Sequence, residues 1–275
     1  MLAHVDGIDV NYEQRGSGRP VLMLHGGYLD HRHMMNEMEP VFFDRAGWHR
    51  LYPDLPAHGR TPTLARPMTF DALLDHVIRF VDAVTPGKRF AVAGMSAGGH
   101  LVRGLTARCP DRLLGVLINA APFVIDYAQR DLPEPSTIFE EDGSGEMAGD
   151  RTELLRRLQP IRDAALVDWY VSCYHPAEAI FDETAAMESW RPENYAFSFD
   201  PDKVGAPFAA PSLILAGRQD TIVGYRDAWM SIERFPRATF ATLDGCGHYI
   251  APAKRDLFRS LVADWLDRME LEAAD

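Results

Sequence analysis

The sequence predicts an α/β domain on a mostly parallel sheet, with a helical segment inserted between two strands. Three observations carry this. Short, continuous apolar runs recur, of which Val21-Leu22-Met23-Leu24 is representative, as expected for strands buried on both faces. Stretches with helical apolar spacing separate them, and strands alternating with helices imply parallel pairing through right-handed crossovers. The alternation lapses once, between Pro122 and Ala210.

In chain order, residues 2–14 read as a strand pair turning at Asp6-Gly7, with Ile8, Val10 and Tyr12 on one face. Gly16, Gly18 and Pro20 break the chain before the 21–24 strand. Further strands are expected at 49–52, 90–93, 114–118, 212–216 and 239–243. Between them, Thr69 is placed to cap a helix whose Leu73, Leu74, Val77, Ile78 and Val81 share one side. Ala97–Arg108 reads as a second helix, ended by Pro110, and 225–235 and 256–269 complete the series. His31-Arg32-His33 is read as extended or rim-loop chain, with no third ligand to make it a metal site. Met34, Met35 and Met38, at helical spacing, suit core packing.

The lapse in rhythm has its own content. A Pro- and acid-rich loop over 132–149 precedes helical patterns at Thr152–Leu158, 163–174 and 177–189. Such an insertion reads as a lid, which divides the chain into a core (1–121 and 211–275) and a helical cap (122–210). Within it, Glu140-Glu141-Asp142-Gly143-Ser144-Gly145 is expected to be a solvated loop without a catalytic role.

Bulk properties exclude several classes. The 275 residues carry a formal net charge of −12 with no dense Lys/Arg run, the opposite of the footprint left by nucleic-acid or anionic-membrane binding. Cys109, Cys173 and Cys246 are odd in number and far apart, which gives neither a disulfide framework nor metal-ligand spacing. No signal-like segment and no run of membrane-spanning length is visible, so a cytoplasmic setting is expected. The partner expected is a small-molecule substrate, not nucleic acid or membrane; a homodimer is left open.

Four loops carry the chemistry. Gly94-Met95-Ser96-Ala97-Gly98-Gly99 follows one predicted strand and opens a helix, the context in which a tight turn lifts a nucleophilic serine out of a sheet. His25-Gly26-Gly27 ends another strand, and acyl transfer needs two N–H donors at the developing oxyanion; the amides of Gly27 and Ala97 are assigned to it. His25 itself is read as structural. Asp220 follows the 212–216 strand, placed to accept an imidazole Nδ1–H, with Asp126 and Asp244 as rivals. His248, between flanking glycines after the 239–243 strand, is the candidate base. Ser96, Asp220 and His248 therefore all fall at carboxyl ends of strands, where open α/β sheets bind ligands. Tyr28, Phe123, Tyr127, Tyr170, Trp190 and Trp229 are candidates to line an apolar cleft.

With these loops in place the chain resembles the α/β-hydrolase superfamily over almost its whole length. The segment Pro53-Asp54-Leu55-Pro56-Ala57-His58-Gly59-Arg60-Thr61 is similar to one many members carry, departing from it at Ala57 and Thr61, where glycine and serine are usual. The resemblance implies an eight-stranded, mostly parallel sheet with a helical cap, a Ser96-Asp220-His248 serine hydrolase and no cofactor. A small or medium ester, lactone or related carbonyl substrate would pass through an acyl-enzyme. C–C bond hydrolysis, aminopeptidase activity and cofactor-free perhydrolysis on the same three residues are the alternatives within enzymes. A small-molecule receptor is the alternative outside them, and Ser96 argues against a dehalogenase, which would place aspartate there.

Overall fold

A computed structural model describes residues 1–142 and 152–272. Among the described residues the main sheet has eight strands: β1 (Leu2–Val5), β2 (Ile8–Arg15), β3 (Arg19–Leu24), β4 (Trp48–Pro53), β5 (Phe90–Met95), β6 (Leu113–Asn119), β9 (Ser212–Gly217) and β10 (Ala238–Leu243), while β7 (Phe139–Glu140) and β8 (Ile161–Arg162) pair apart from it. The order in the main sheet is β1-β2-β4-β3-β5-β6-β9-β10. The β1–β2 and β2–β4 pairs are antiparallel and all others parallel.

The continuous apolar runs have a direct cause. Successive side chains of a strand point to opposite faces, and here both faces are covered. Val21, Met23, Ala91, Ala93, Leu117, Leu213 and Leu215 pack on one side with α1 (His31–Met38) and the last helix, Arg255–Glu272, which contributes Phe258, Val262, Trp265 and Leu266. Leu22, Leu24, Val92, Val116, Ile118 and Ile214 pack on the other with α2 (Phe70–Val84) and α3 (Ala97–Arg108). Thr69 caps α2 as expected, its side chain accepting from Ala72 N.

Three local expectations need correction. His31-Arg32-His33 is not extended chain or loop but the first turn of a helix that runs on through the helically spaced methionines to Met38, because Asp30 caps it by accepting from Arg32 N at 3.0 Å. That places His33 and Met34 in the interior, with Met38 core as expected. The single helix predicted over 225–235 is a short one, Arg226–Met230, then a 3-10 turn at Ile232–Arg234. Pro236 biases the residue before it toward extended chain and stops continuation. The 177–189 helix is two, His175–Glu178 and Glu183–Ser189, the second started afresh by the Asp182 cap.

Between β6 and β9 the described chain holds helices Thr152–Leu158 and Ala164–Trp169, a π-helical turn at Tyr170–Tyr174, the two short helices just named and Pro192–Tyr195. It also holds a two-residue parallel bridge, Phe139–Glu140 with Ile161–Arg162, where no strand was expected. Buried Arg162 ties this bridge together, donating to Glu140 Oε2 at 2.6 Å and to the Gln159 carbonyl at 2.7 Å. Glu140 is thus part of the bridge and not of a free loop. Gly143, Ser144 and Gly145 of that loop lie outside the described residues. Among the described residues no helix is long and apolar enough to cross a membrane.

Candidate active site

Ser96 stands at the β5–α3 turn with φ 52° and ψ −115°, a region non-glycine residues rarely occupy. Holding it costs about 1–3 kcal/mol, which the surroundings must impose. They do so by close approach. A Cβ at Gly94 would lie 2.4 Å from the Gly98 carbonyl oxygen, and one at Gly98 would lie 2.3 Å from that of Leu24. Only glycines let the turn close this tightly. Ser96 N donates to the Asn119 carbonyl at 2.9 Å, which fixes the turn's depth. The helix that follows, α3, begins at Ala97 and so sets its positive dipole end beside the serine.

Asp220 and His248 arrive from the ends of β9 and β10. His248 Nε2 lies 3.0 Å from Ser96 Oγ, and His248 Nδ1 lies 2.9 Å from Asp220 Oδ2. The carboxylate is fully buried, and its other oxygen accepts from Ile222 N at 2.8 Å and Val223 N at 3.1 Å. Held this way it can only accept, so Nδ1 carries the proton and Nε2 is left to accept from the serine hydroxyl. The two rival acids are elsewhere. Asp126 is exposed and caps a 3-10 turn through Ala128 N, while Asp244 pairs with Gln219.

The His25-Gly26-Gly27 backbone passes directly beside Ser96: a Cβ on Gly26 would sit 3.3 Å from Ser96 Cβ. His25 is structural in its bonds. Its Nδ1–H donates to the Gly26 carbonyl and its Nε2 accepts Leu55 N–H at 2.9 Å, and burial keeps it neutral by lowering its pKa. Burial also pushes the pKa of neighbouring His58 down to about 3. Tyr28 follows with φ 62°, a second strained residue at the same place.

A run of rings leads away from the imidazole. From His248 it passes to Tyr249 (5.6 Å between centroids), Tyr174 (6.2 Å), Tyr28 (6.3 Å) and Trp190 (4.8 Å). Tyr170 stacks on Tyr174, Phe181 on Trp190, and a Cβ on Gly27 would meet the Trp190 ring at 2.5 Å. Of the predicted lining residues, then, Tyr28, Tyr170 and Trp190 come together. Phe123 lies half-buried under the Arg103 guanidinium at 4.2 Å. Tyr127 is 50% exposed with its hydroxyl donating to the Thr221 carbonyl, and Trp229, 54% exposed, packs on Phe240. Tyr174, Phe181, Tyr249 and His58 were not foreseen.

The one group of possible metal ligands among the described residues, Asp30, His31 and Asp54, is committed to other bonds. Asp54 accepts from His31 N, His31 Nδ1, Asn11 Nδ2 and Arg60 N, and these bonds hold its carboxyl well below the usual carboxylate range against the burial that opposes them. Asp30 accepts from Arg32. The three pin the turn after the 25–27 loop. The cysteines are equally unsuited to attack: burial raises the thiol of Cys246 to about 12, that of Cys109 to about 11, and that of Cys173 as well.

Comparison with known proteins places the chain in a family. It belongs to the alpha/beta hydrolase family, whose model matches residues 21–259, and it is a hydrolase. Among relatives it is 21% identical to the 2-hydroxy-6-oxo-6-(2'-aminophenyl)hexa-2,4-dienoic acid hydrolase of Metapseudomonas resinovorans, covering 97% of this chain and 90% of that one. It is 26% identical to the pimeloyl-[acyl-carrier protein] methyl ester esterase of Nitrosomonas europaea, covering 87% and 92%. In structure it matches an alpha/beta superfamily hydrolase from Oenococcus oeni PSU-1 with TM-score 0.88 at 24% identity, over 98% and 99% of the two chains, a likeness of fold.

Proposed function

We propose that this hydrolase acts through Ser96 as nucleophile, His248 as general base and Asp220 as the acid that orients it, on a small or medium carboxylic ester, lactone or related carbonyl compound. The observation that carries the reading is the unbroken chain from Ser96 Oγ through the imidazole to a carboxylate, at 3.0 Å and 2.9 Å. Ser96 Oγ attacks the carbonyl carbon as its proton passes to His248 Nε2. The amides of Gly27 and Ala97 receive the oxyanion, and one such donor is worth about 10²–10³ in rate. The imidazolium, stabilised by Asp220, protonates the leaving group. His248 then takes a proton from water as the water attacks the acyl carbon, and returns it to Ser96 Oγ as the C–Oγ bond breaks and the acid product leaves. The rings that adjoin His248 and Gly27 favour a partly apolar substrate, and residues 122–210 would act as the cap that selects it.

A second reading uses the same residues for C–C bond hydrolysis. It is favoured by the dienoic acid hydrolase relative, which aligns over 97% of this chain. Turnover of a panel of esters and lactones of graded acyl length, beside vinylogous 1,5-diketone acids, separates the two. Rapid quenching with intact-mass detection should show an acyl group on Ser96 for the preferred ester. Cleavage confined to the diketones would replace the first reading by the second, and turnover unaffected by Ser96→Ala would remove both.

A further inference from the structure

The end of the helix Thr152–Leu158 and the residue after it, Gln159, belong by sequence to the helical insertion between β6 and β9, yet their bonds run to the two loops that carry the proposed base and acid. Leu158 O accepts from His248 N at 2.8 Å. Gln159 Oε1 accepts from Gly247 N at 2.9 Å, and Gln159 Nε2 donates to Tyr249 O at 2.6 Å. Three consecutive residues around the imidazole are thus held by two consecutive residues of the insertion. On the acid side, Thr221 Oγ1 donates to Arg157 O at 2.9 Å, one residue beyond Asp220. Gln159 is 1% exposed, so water cannot replace these bonds. Its amide orientation is also fixed: turned over, it would set NH₂ against N–H and oxygen against oxygen. The approach is close enough that a Cβ on Gly247 would lie 2.0 Å from Leu158 O.

We propose that Gln159 is a positioning residue, which holds the 247–249 backbone so that the His248 ring spans Ser96 and Asp220, and thereby couples the seating of the insertion to activation of the nucleophile. The inference rests on the Ser96 hydrolase reading. A side chain tied at one end only to Asp220 can swing about its Cα; the clasp fixes that Cα. Misplacement by about 1 Å costs roughly 10²-fold in such a site.

Gln159→Leu removes both side-chain bonds at similar volume. Gln159→Glu keeps the acceptor for Gly247 N and sets an oxygen against Tyr249 O. Three readouts are taken on each purified full-length variant: the rate of Ser96 labelling by a fluorophosphonate, KM and kcat on the preferred ester, and the low-field proton resonance of the His248 Nδ1–H···Asp220 bond. The expected result is labelling and kcat lowered together by about 10–100-fold, KM within threefold, and a broadened or shifted low-field proton in a chain that still unfolds cooperatively. Wild-type labelling with an unchanged low-field proton in folded Gln159→Leu overturns the proposal, as does a change confined to KM. If Gln159→Leu does not fold, Gln159→Glu decides by the same criteria. If the wild-type chain fails to label at Ser96, the hydrolase reading has failed instead, and the proton resonance alone then tests the clasp.

Discussion

Asp220→Asn isolates the role of one proton. The replacement is nearly isosteric, and its oxygen can keep the bonds from Ile222 N and Val223 N at 2.8 Å and 3.1 Å. Anchored so, it must turn its NH₂ toward His248 Nδ1, where the carboxylate oxygen lay at 2.9 Å. An NH₂ demands an acceptor, so the imidazole proton is driven to Nε2, the atom that has to receive the serine proton. Loss of the acceptor tautomer and of the charge opposite the imidazolium lowers turnover by about 10⁴-fold in such arrangements. At 1.36 kcal/mol per tenfold that is about 5.5 kcal/mol of transition-state stabilisation. The assay is kcat/KM on the preferred ester, with circular dichroism to verify folding, beside Asp126→Asn and Asp244→Asn, which should stay near wild type. Activity within tenfold of wild type in a folded Asp220→Asn, or a larger loss in Asp126→Asn, refutes the reasoning.

Other consequences are independent of it. His58, with its pKa lowered to about 3 by burial, remains neutral in the native state, while in the unfolded chain it protonates below about 6.5. Between those values the unfolded state binds the extra proton, so stability rises with pH and is lost on acidification, by at most about 1.4 kcal/mol per pH unit. Urea unfolding at pH 7 and pH 5 should show a smaller acid loss in His58→Gln by up to about 2 kcal/mol; an identical loss contradicts it. Gly98→Ala sets a methyl 2.3 Å from a backbone oxygen and should destabilise by about 1–3 kcal/mol, seen as a lower denaturant midpoint, and abolish most activity. Gly27→Ala drives its methyl into Trp190 and should cost about 10²-fold in kcat. Adding Trp190→Ala should recover at least about tenfold of that; no recovery would mean that the clash at 2.5 Å is not the cause.

What was legible in the sequence divides by range. The central strands β3, β5, β6 and β9 were readable because both faces of the sheet are buried there, leaving each as a largely apolar run. That Ser96, Asp220 and His248 fall at strand ends was readable because Ser96 and Asp220 follow apolar strands within a few residues and His248 follows glycines after the last strand. The first turn of α1 was missed because it rests on one capping bond from Asp30, and His31-Arg32-His33 carries no apolar spacing of its own. The 177–189 helix was drawn whole because its break at Asp182 depends on a tertiary contact, Asp182 N to Ala57 O at 3.1 Å. Gln159 gave no local signal at all: its partners lie some ninety residues away. Tyr174, Phe181 and Tyr249 likewise look like ordinary core residues until the fold aligns their rings. Ala57, a departure from the family pattern, sits at φ 67°, the backbone region that explains why glycine is usual there.

The most direct measurement is fluorophosphonate labelling of the native protein, mapped by peptide mass spectrometry and followed as a rate. The account predicts one adduct, on Ser96, absent in Ser96→Ala and slowed by several orders of magnitude in His248→Ala. Stoichiometric labelling elsewhere, or a Ser96 adduct that forms at the same rate without His248, would contradict it.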